Sequence, residues 1–332
     1  MKWVVTGGCG FIGTNLVSHL VDRGDEVAIV DDLSRKGSEL NATFLRETYG
    51  LKPALVDISH GELLTNVLND YGQVDAIAHL AGQVSFLASL DNPRRDFDVN
   101  ARGTLNILEW VRQHSPETAI IGMSSNKIYG DLEHLSYEES GTRYEAIDFP
   151  EGFDESLPLA FRGPYGCSKG TADQYLADYG RMFGLRTASL RQSSVYGPHQ
   201  HPRSDQGWVA HLLQEAWDRN VIQLNGIGKQ VRDLLHAHDL AQLFPALHSA
   251  LIPGTPAVVN VGGGPQNSLS ILEFFTWFTG KTGIEVDYRS GPLRPSDQKV
   301  FISNNARVTG MTGWTPEISV DSGLTALMDS LR

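Results

Sequence analysis

Cysteine is almost missing from this chain: there are two in 332 residues, Cys9 and Cys167, neither in a metal-ligand or redox spacing. That argues against a disulfide framework, and no metal is expected. Also missing is any run of about 20 apolar residues, the length that spans a bilayer. The opening MKWVVTGGCGFIG turns glycine-rich after one short apolar strand, which is not the pattern of a signal peptide. A cytoplasmic protein with no membrane partner is expected. There is no Lys/Arg run either, and acids outnumber bases 39 to 27 for a net charge of −12. Nucleic acid, whose phosphate backbone wants a basic face, is therefore not expected as a partner. Any anionic ligand must be held by local donors.

What is present is a chain that is 41% apolar and 20% charged, enough to bury a large core in two lobes. KWVVTG (2–7), EVAIVDD (26–32), AIAHLAG (76–82) and AIIGMSS (119–125) are short apolar runs ending in Gly, Asp or Ser. Segments with helical spacing, such as FIGTNLVSHLVDRG and NARGTLNILEWVRQH, lie between them. Continuous apolar strands separated by helices predict a parallel sheet covered on both faces. From about residue 131 to 163 the pattern lapses into an acidic, Pro- and Gly-bearing stretch with several aromatics, read as an ordered cover loop. A helix from Tyr165 and a strand over 186–197 resume the sheet. Helices are then expected at 206–219, 237–250, 269–279 and 321–331, between short strands. The division predicted is a dinucleotide-binding domain over 1–197 and a smaller mixed α/β lobe over 198–332, interleaved with the first.

TGGCGFIG places Gly7, Gly10 and Gly13 three apart, directly after a strand and opening a helix. Glycines there let the backbone turn sharply and approach a pyrophosphate seated on the helix N-terminal amides, with Phe11 and Ile12 in the same turn. Asp31 ends the second strand eighteen residues after Gly13, where a carboxylate accepts from the adenosine ribose hydroxyls. The fold class is thus a Rossmann-type doubly wound sheet, and the cofactor expected is NAD, because a carboxylate repels a 2′-phosphate. Arg35 and Lys36 leave NADP open. Asp32, Ser34, Asp57 and Ile58 are expected around the adenosine, although an Asp at a strand end equally caps a turn. Leu80, Ala81, Gly82 and Gln83 end the fourth strand with mostly small residues that let the backbone pass close to the cofactor. Asn100 faces the start of the next helix, where structural and cofactor-binding roles are both open.

FRGPYGCSKGTADQY sets Tyr165 and Lys169 one helical turn apart, on one face. A nearby ammonium stabilises a phenolate and lowers a tyrosine pKa from about 10, which makes a general base. Ser125, closing the strand AIIGMSS, is placed to donate to the same substrate hydroxyl. Tyr-x-x-x-Lys alone is an ordinary helix face; after a dinucleotide turn and a Ser-rich strand end it reads as catalytic.

The glycine turn, Asp31, Ser125, Tyr165 and Lys169, in this order, resemble the extended short-chain dehydrogenase/reductase superfamily in its nucleotide-sugar epimerase branch. Further stretches, SNKIYGDLE (125–133), YGCSKGTADQY (165–175), DQGWV (205–209), NSLSILE (267–273) and SDQKVF (296–301), are similar to the CDP-sugar 2-epimerases of that branch. The resemblance implies inversion of carbon 2 of a CDP-hexose through a transient keto-sugar and reversible hydride transfer. It leaves open a UDP- or GDP-hexose epimerase acting at carbon 4 or 2, a dehydrogenase, and a non-catalytic NAD-binding module. Dehydratases of the superfamily carry an Asp-Glu pair where this chain has Asn126 and Lys127, so elimination lacks its acid and base. Lys169 is implied to hold the nicotinamide ribose as well. Gln83, Ser125, Asn126, Lys127, Gln206, Gly207, Trp208, Val209, Arg232 and Arg294 are implied around the nucleotide sugar, and a homodimer or homotetramer is implied.

Overall fold

A computed structural model describes residues 1–201, 207–294 and 297–330. The four apolar runs form β1 (Lys2–Thr6), β2 (Glu26–Asp31), β4 (Ala76–His79) and β5 (Ala119–Met123), joined by β3 (Pro53–Leu55) and β6 (Thr187–Gln192). With β9 (Ala257–Val261) they make a seven-stranded sheet in the order β9-β6-β5-β4-β1-β2-β3, every pairing parallel. This is the doubly wound architecture expected from the sequence.

Both faces of the sheet are covered, which is why its strands are apolar at successive positions. Trp3 and Val5 join Leu16, Leu20, Phe244 and Leu247 in one core, supplied by α1 (Phe11–Asp22) and by a late helix, Ala237–Ala250. Val4 and Ile77 join Ile107, Leu108 and Leu176 on the other face. Three helices lie on the path to that side: α2 (Pro93–Phe97), α3 (Gly103–His114) and α4 (Gly163–Phe183). The helical pattern from residue 100 opens with a π-helical turn, Asp98–Arg102, before α3 begins.

The strand expected over 186–197 breaks at Ser193, whose amide donates to Val261 O at the end of β9. The chain there leaves the main sheet, and β7 (Ser194–Tyr196) pairs in parallel with β8 (Val231–His236) in the second lobe. The other half of β8 pairs with β10 (Ser268–Ser270), antiparallel, and β11 (Val300–Phe301), parallel. Helices Trp208–Trp217, Ala237–Ala250, Ile271–Thr282 and Val320–Ser330 stand close to the expected spans. The third starts later than predicted because Ser270 is its cap: its hydroxyl accepts from Glu273 N while Glu273 accepts from Ser270 N, and the residues before it are strand.

The cover over 131–163 is ordered. It holds a small hairpin, Tyr137–Glu139 with Tyr144–Ala146, and buries Leu132, Phe153 and Leu157 against Tyr129, Val231 and Phe301. Among the described residues no helix is long and apolar enough to cross a membrane.

Candidate active site

A cleft of about 380 Å³ opens at the carboxyl ends of the central strands. Gly7 makes its narrow point: its φ of +70° is left-handed, and a Cβ on it would come 2.6 Å from Ala81 N. A Cβ on Gly13 would lie 2.1 Å from Gly7 O, so α1 packs directly on the turn. Gly10 caps α1 in an extended conformation with no side-chain bond. The first-turn amides are therefore left for a ligand, and Phe11, Ile12 and Gly13 line the cleft there. These uncapped amides fit a pyrophosphate.

Asp31, Asp32, Ser34, Arg35, Asp57, Ile58, Leu80, Ala81, Gly82 and Gln83 line the same cleft. Asp31 also ties the turn together, accepting from Cys9 N and Leu33 N, both at 2.9 Å. Burial pushes its carboxyl up against those bonds. Burial and the charge of Asp31 push the Cys9 thiol up to about 12, which keeps it a buried thiol rather than a nucleophile.

At the other end Tyr165 and Lys169 line the cleft from α4, whose first turn holds Pro164. Ser125 follows β5, and its hydroxyl accepts from Lys127 N at 3.2 Å and donates to Asn126 Oδ1 at 3.3 Å. Burial raises the Tyr165 phenol, while Ser125 and the charge of Arg35 pull it down. The Lys169 ammonium donates to Met123 O at 3.1 Å. Burial lowers Lys169 itself to about 8, against the opposing charge of Asp96.

Asn100 lies behind the cleft wall, in the π-turn. Its Oδ1 accepts from Gln83 N at 2.9 Å and its Nδ2 donates to Ser168 Oγ at 3.0 Å. Ser168 in turn donates to the fully buried Asp96. Beneath the wall runs a second buried chain. Thr6 Oγ1 donates to His79 Nδ1 at 2.9 Å, His79 Nε2 meets Thr104 Oγ1 at 2.9 Å, and Thr104 donates to Asn100 O at 2.6 Å. Burial lowers the His79 pKa to about 3, so the ring is neutral, and Thr104's own donation requires the Nε2–H tautomer.

On the substrate side two residues unforeseen in the sequence organise the foreseen ones. Gln298 accepts from Asn126 Nδ2 at 2.8 Å, and Asp297 accepts from Lys127 Nζ at 3.2 Å and Arg232 Nη2 at 2.9 Å. Arg294 is exposed, and its charge reaches Lys127, whose pKa is lowered chiefly by burial. Gly207 caps Trp208–Trp217. Trp208 stacks edge-on against Phe274 and donates to Ser194 Oγ, while Val209 is buried in that lobe's core. Gln206 lies outside the described residues. Arg95, Met123 and Gln192 also line the cleft and were not foreseen.

Known proteins resemble this chain along nearly its whole length. CDP-paratose 2-epimerase of Salmonella typhi is 42% identical over 99% of this chain and 98% of its own. UDP-glucose 4-epimerase of Mycolicibacterium smegmatis is 27% identical over 100% and 99%. Among solved structures, UDP-glucose 4-epimerase of Thermotoga maritima with UDP-glucose superposes at a TM-score of 0.84 with 26% identity, covering 100% and 99% of the two chains. The Thermus thermophilus UDP-glucose 4-epimerase complex with NAD superposes at 0.81 with 28% identity over 99% and 98%. The model of the NAD dependent epimerase/dehydratase family matches residues 3–262, from the first strand through the last strand of the main sheet. NAD, the cofactor of that family, suits a cleft built from uncapped helix amides and a strand-end carboxylate, and this chain belongs to the NAD dependent epimerase/dehydratase family.

Proposed function

We propose that the protein is an NAD-dependent isomerase that inverts carbon 2 of a CDP-hexose. The observation that carries the reading is the end-to-end likeness, at 42% identity, to CDP-paratose 2-epimerase. Asn126 and Lys127 beside Ser125 support it, because neither is a carboxylate that could serve an elimination. Bound NAD supplies the acceptor and donor of the hydride. Tyr165 takes the proton of the carbon-2 hydroxyl and returns it, so no second base is needed. Ser125 fixes the reacting oxygen against Tyr165. Lys169 keeps positive charge beside them. Gly7, Phe11, Ile12 and Gly13 would seat the pyrophosphate, and Asp31 the adenosine ribose. Arg232 and Arg294 would receive the nucleotide diphosphate from the second lobe, residues 198–332, and Lys127, beside Ser125, would meet the sugar. On the outer side of the first lobe Met182 is 70% and Phe183 50% exposed, apolar surface that supports a homodimer or homotetramer.

The test is to incubate the protein, without added cofactor, with CDP-paratose, CDP-glucose, UDP-glucose and GDP-mannose, and to follow each by proton NMR and mass spectrometry. Inversion at carbon 2 of a CDP sugar at unchanged mass is the expected result. Inversion of a UDP sugar at carbon 4 would overturn the substrate and leave the chemistry.

A further inference from the structure

Arg95 bridges two acidic strand ends across the cleft described above. It lies on α2, a turn that Asn92 caps by accepting from Arg95 N at 3.0 Å. Its guanidinium reaches the opposite wall, donating through Nη1 to Asp57 Oδ2 and through Nη2 to Asp32 Oδ2 at 3.3 Å. Asp32 follows β2 and Asp57 follows β3, so one side chain spans three separate segments of the rim. Both carboxylates are fixed in advance. Asp32 Oδ1 accepts from Ser34 N and Oγ at 3.0 and 2.6 Å, and Asp57 Oδ1 accepts from Ser59 N and Oγ at 2.9 and 2.8 Å. Each acid therefore turns one oriented oxygen toward the guanidinium, a two-pronged arrangement that a planar fork fills and a point charge does not.

The three residues line the cleft at its β2–β3 end, three strands away from the β5 end where Tyr165 and Lys169 stand. That end is the adenosine end if Asp31 meets the ribose. We propose that Arg95 is a clasp on the adenosine end of the dinucleotide, barring its exit while both ion pairs are closed and so making NAD a resident cofactor. An epimerase gains from such a bar, since the hydride removed from a sugar has to be returned by the same cofactor molecule. The clasp also offsets the charge of Asp32 and Asp57, which would otherwise repel an anionic dinucleotide. Its own base is firm: the next residue, Asp96, turns inward and is held by Ser168 of α4. One short helix thus directs one residue to the cofactor rim and its neighbour to the interior.

The inference rests on the dinucleotide reading of the cleft and not on the identity of the sugar. Its test uses the purified full-length protein loaded with NAD, and measures exchange of bound NAD for radiolabelled NAD in the wild type, Arg95→Met and Arg95→Lys. Arg95→Met keeps the apolar stem and removes the charge. The expected result is exchange about tenfold faster in Arg95→Met, with Arg95→Lys between, and acceleration of wild-type exchange by salt that Arg95→Met does not share. Exchange in Arg95→Met within about twofold of wild type would overturn the clasp, and a lower melting temperature of the NAD-free variant with unchanged exchange would do the same by making Arg95 a structural ion pair. A wild type that binds no NAD would sink the clasp together with the dinucleotide reading, whereas failure of every sugar assay leaves the exchange result intact.

Discussion

The hydroxyl of Ser168 donates to the buried carboxylate of Asp96, fastening the helix that carries Tyr165 and Lys169 to the segment that carries Arg95. Ser168 stands next to Lys169 in the chain, so this bond places a negative charge close behind the ammonium. Two consequences for pH and stability follow from the surroundings of Lys169.

Burial holds Lys169 at about 8, so the ammonium is lost, and activity with it, as the pH rises through about 8. Asp96 opposes that shift. In Asp96→Asn the charge that favours the ammonium is gone and the lysine pKa falls further, so the alkaline limb of kcat/KM moves to lower pH. A pH-rate profile of both proteins checks this; a limb that stays in place, or moves up, defeats it.

The same group weakens the fold. An unfolded lysine titrates near 10.4 and the folded one near 8, so between those values the unfolded chain holds a proton that the folded chain lacks, and stability rises with pH there. Lys169→Met removes the buried charge and gives up the bond to Met123 O. The expected net is about 1–2 kcal/mol of added stability at pH 7, with turnover abolished. Denaturant unfolding at pH 7 and 9.5 decides it.

Removing the proton carrier proposed above should separate binding from chemistry. Tyr165→Phe is expected to lower kcat by about a thousandfold while NAD released on denaturation stays at the wild-type amount. Ser125→Thr keeps the hydroxyl and should retain most of the rate, whereas Ser125→Ala should not. Turnover near the wild-type value in Tyr165→Phe would remove Tyr165 from the role of base.

Away from the site, Arg191 and Asp173 form a buried pair: Nε and Nη2 of the arginine donate to the two carboxylate oxygens at 3.1 and 2.8 Å. Asp173 also accepts from Ser189 Oγ at 2.6 Å, linking α4 to β6. Arg191→Met leaves that carboxylate uncompensated and is expected to cost about 3–5 kcal/mol. Chemical denaturation measures it, and a loss below about 1 kcal/mol would mean the pair is worth no more than a surface one.

The parts legible in the sequence are those whose physical requirement is local. Gly7 is forced by the backbone it must pass, Asp31 ends an apolar strand, and Tyr165 with Lys169 shows itself by helical spacing. Residues with distant partners leave no such trace. Arg95 meets Asp57 38 positions earlier, Asp297 meets Lys127 across 170, and His79 is held by Thr6 and Thr104. Spacing also misleads in a specific way: four residues apart fixed the face shared by Tyr165 and Lys169 and said nothing of where the ammonium ends, which is on Met123 O. Likewise the strand pattern over 186–197 carries no mark of the sheet change at Ser193, because both sheets take extended segments of the same kind.

The strand β9, Ala257–Val261, closes the main sheet from the far side of the second lobe, and the helix Ala237–Ala250 covers it against α1. A nascent chain that has emerged only as far as residue 197 therefore has its glycine turn, its Tyr165 and its Lys169, and yet β6 ends as an unpaired edge beside an uncovered apolar face. Synthesis must continue past Val261 before that edge is sealed, so the order in which the ribosome releases these segments makes the first 197 residues depend on those that follow.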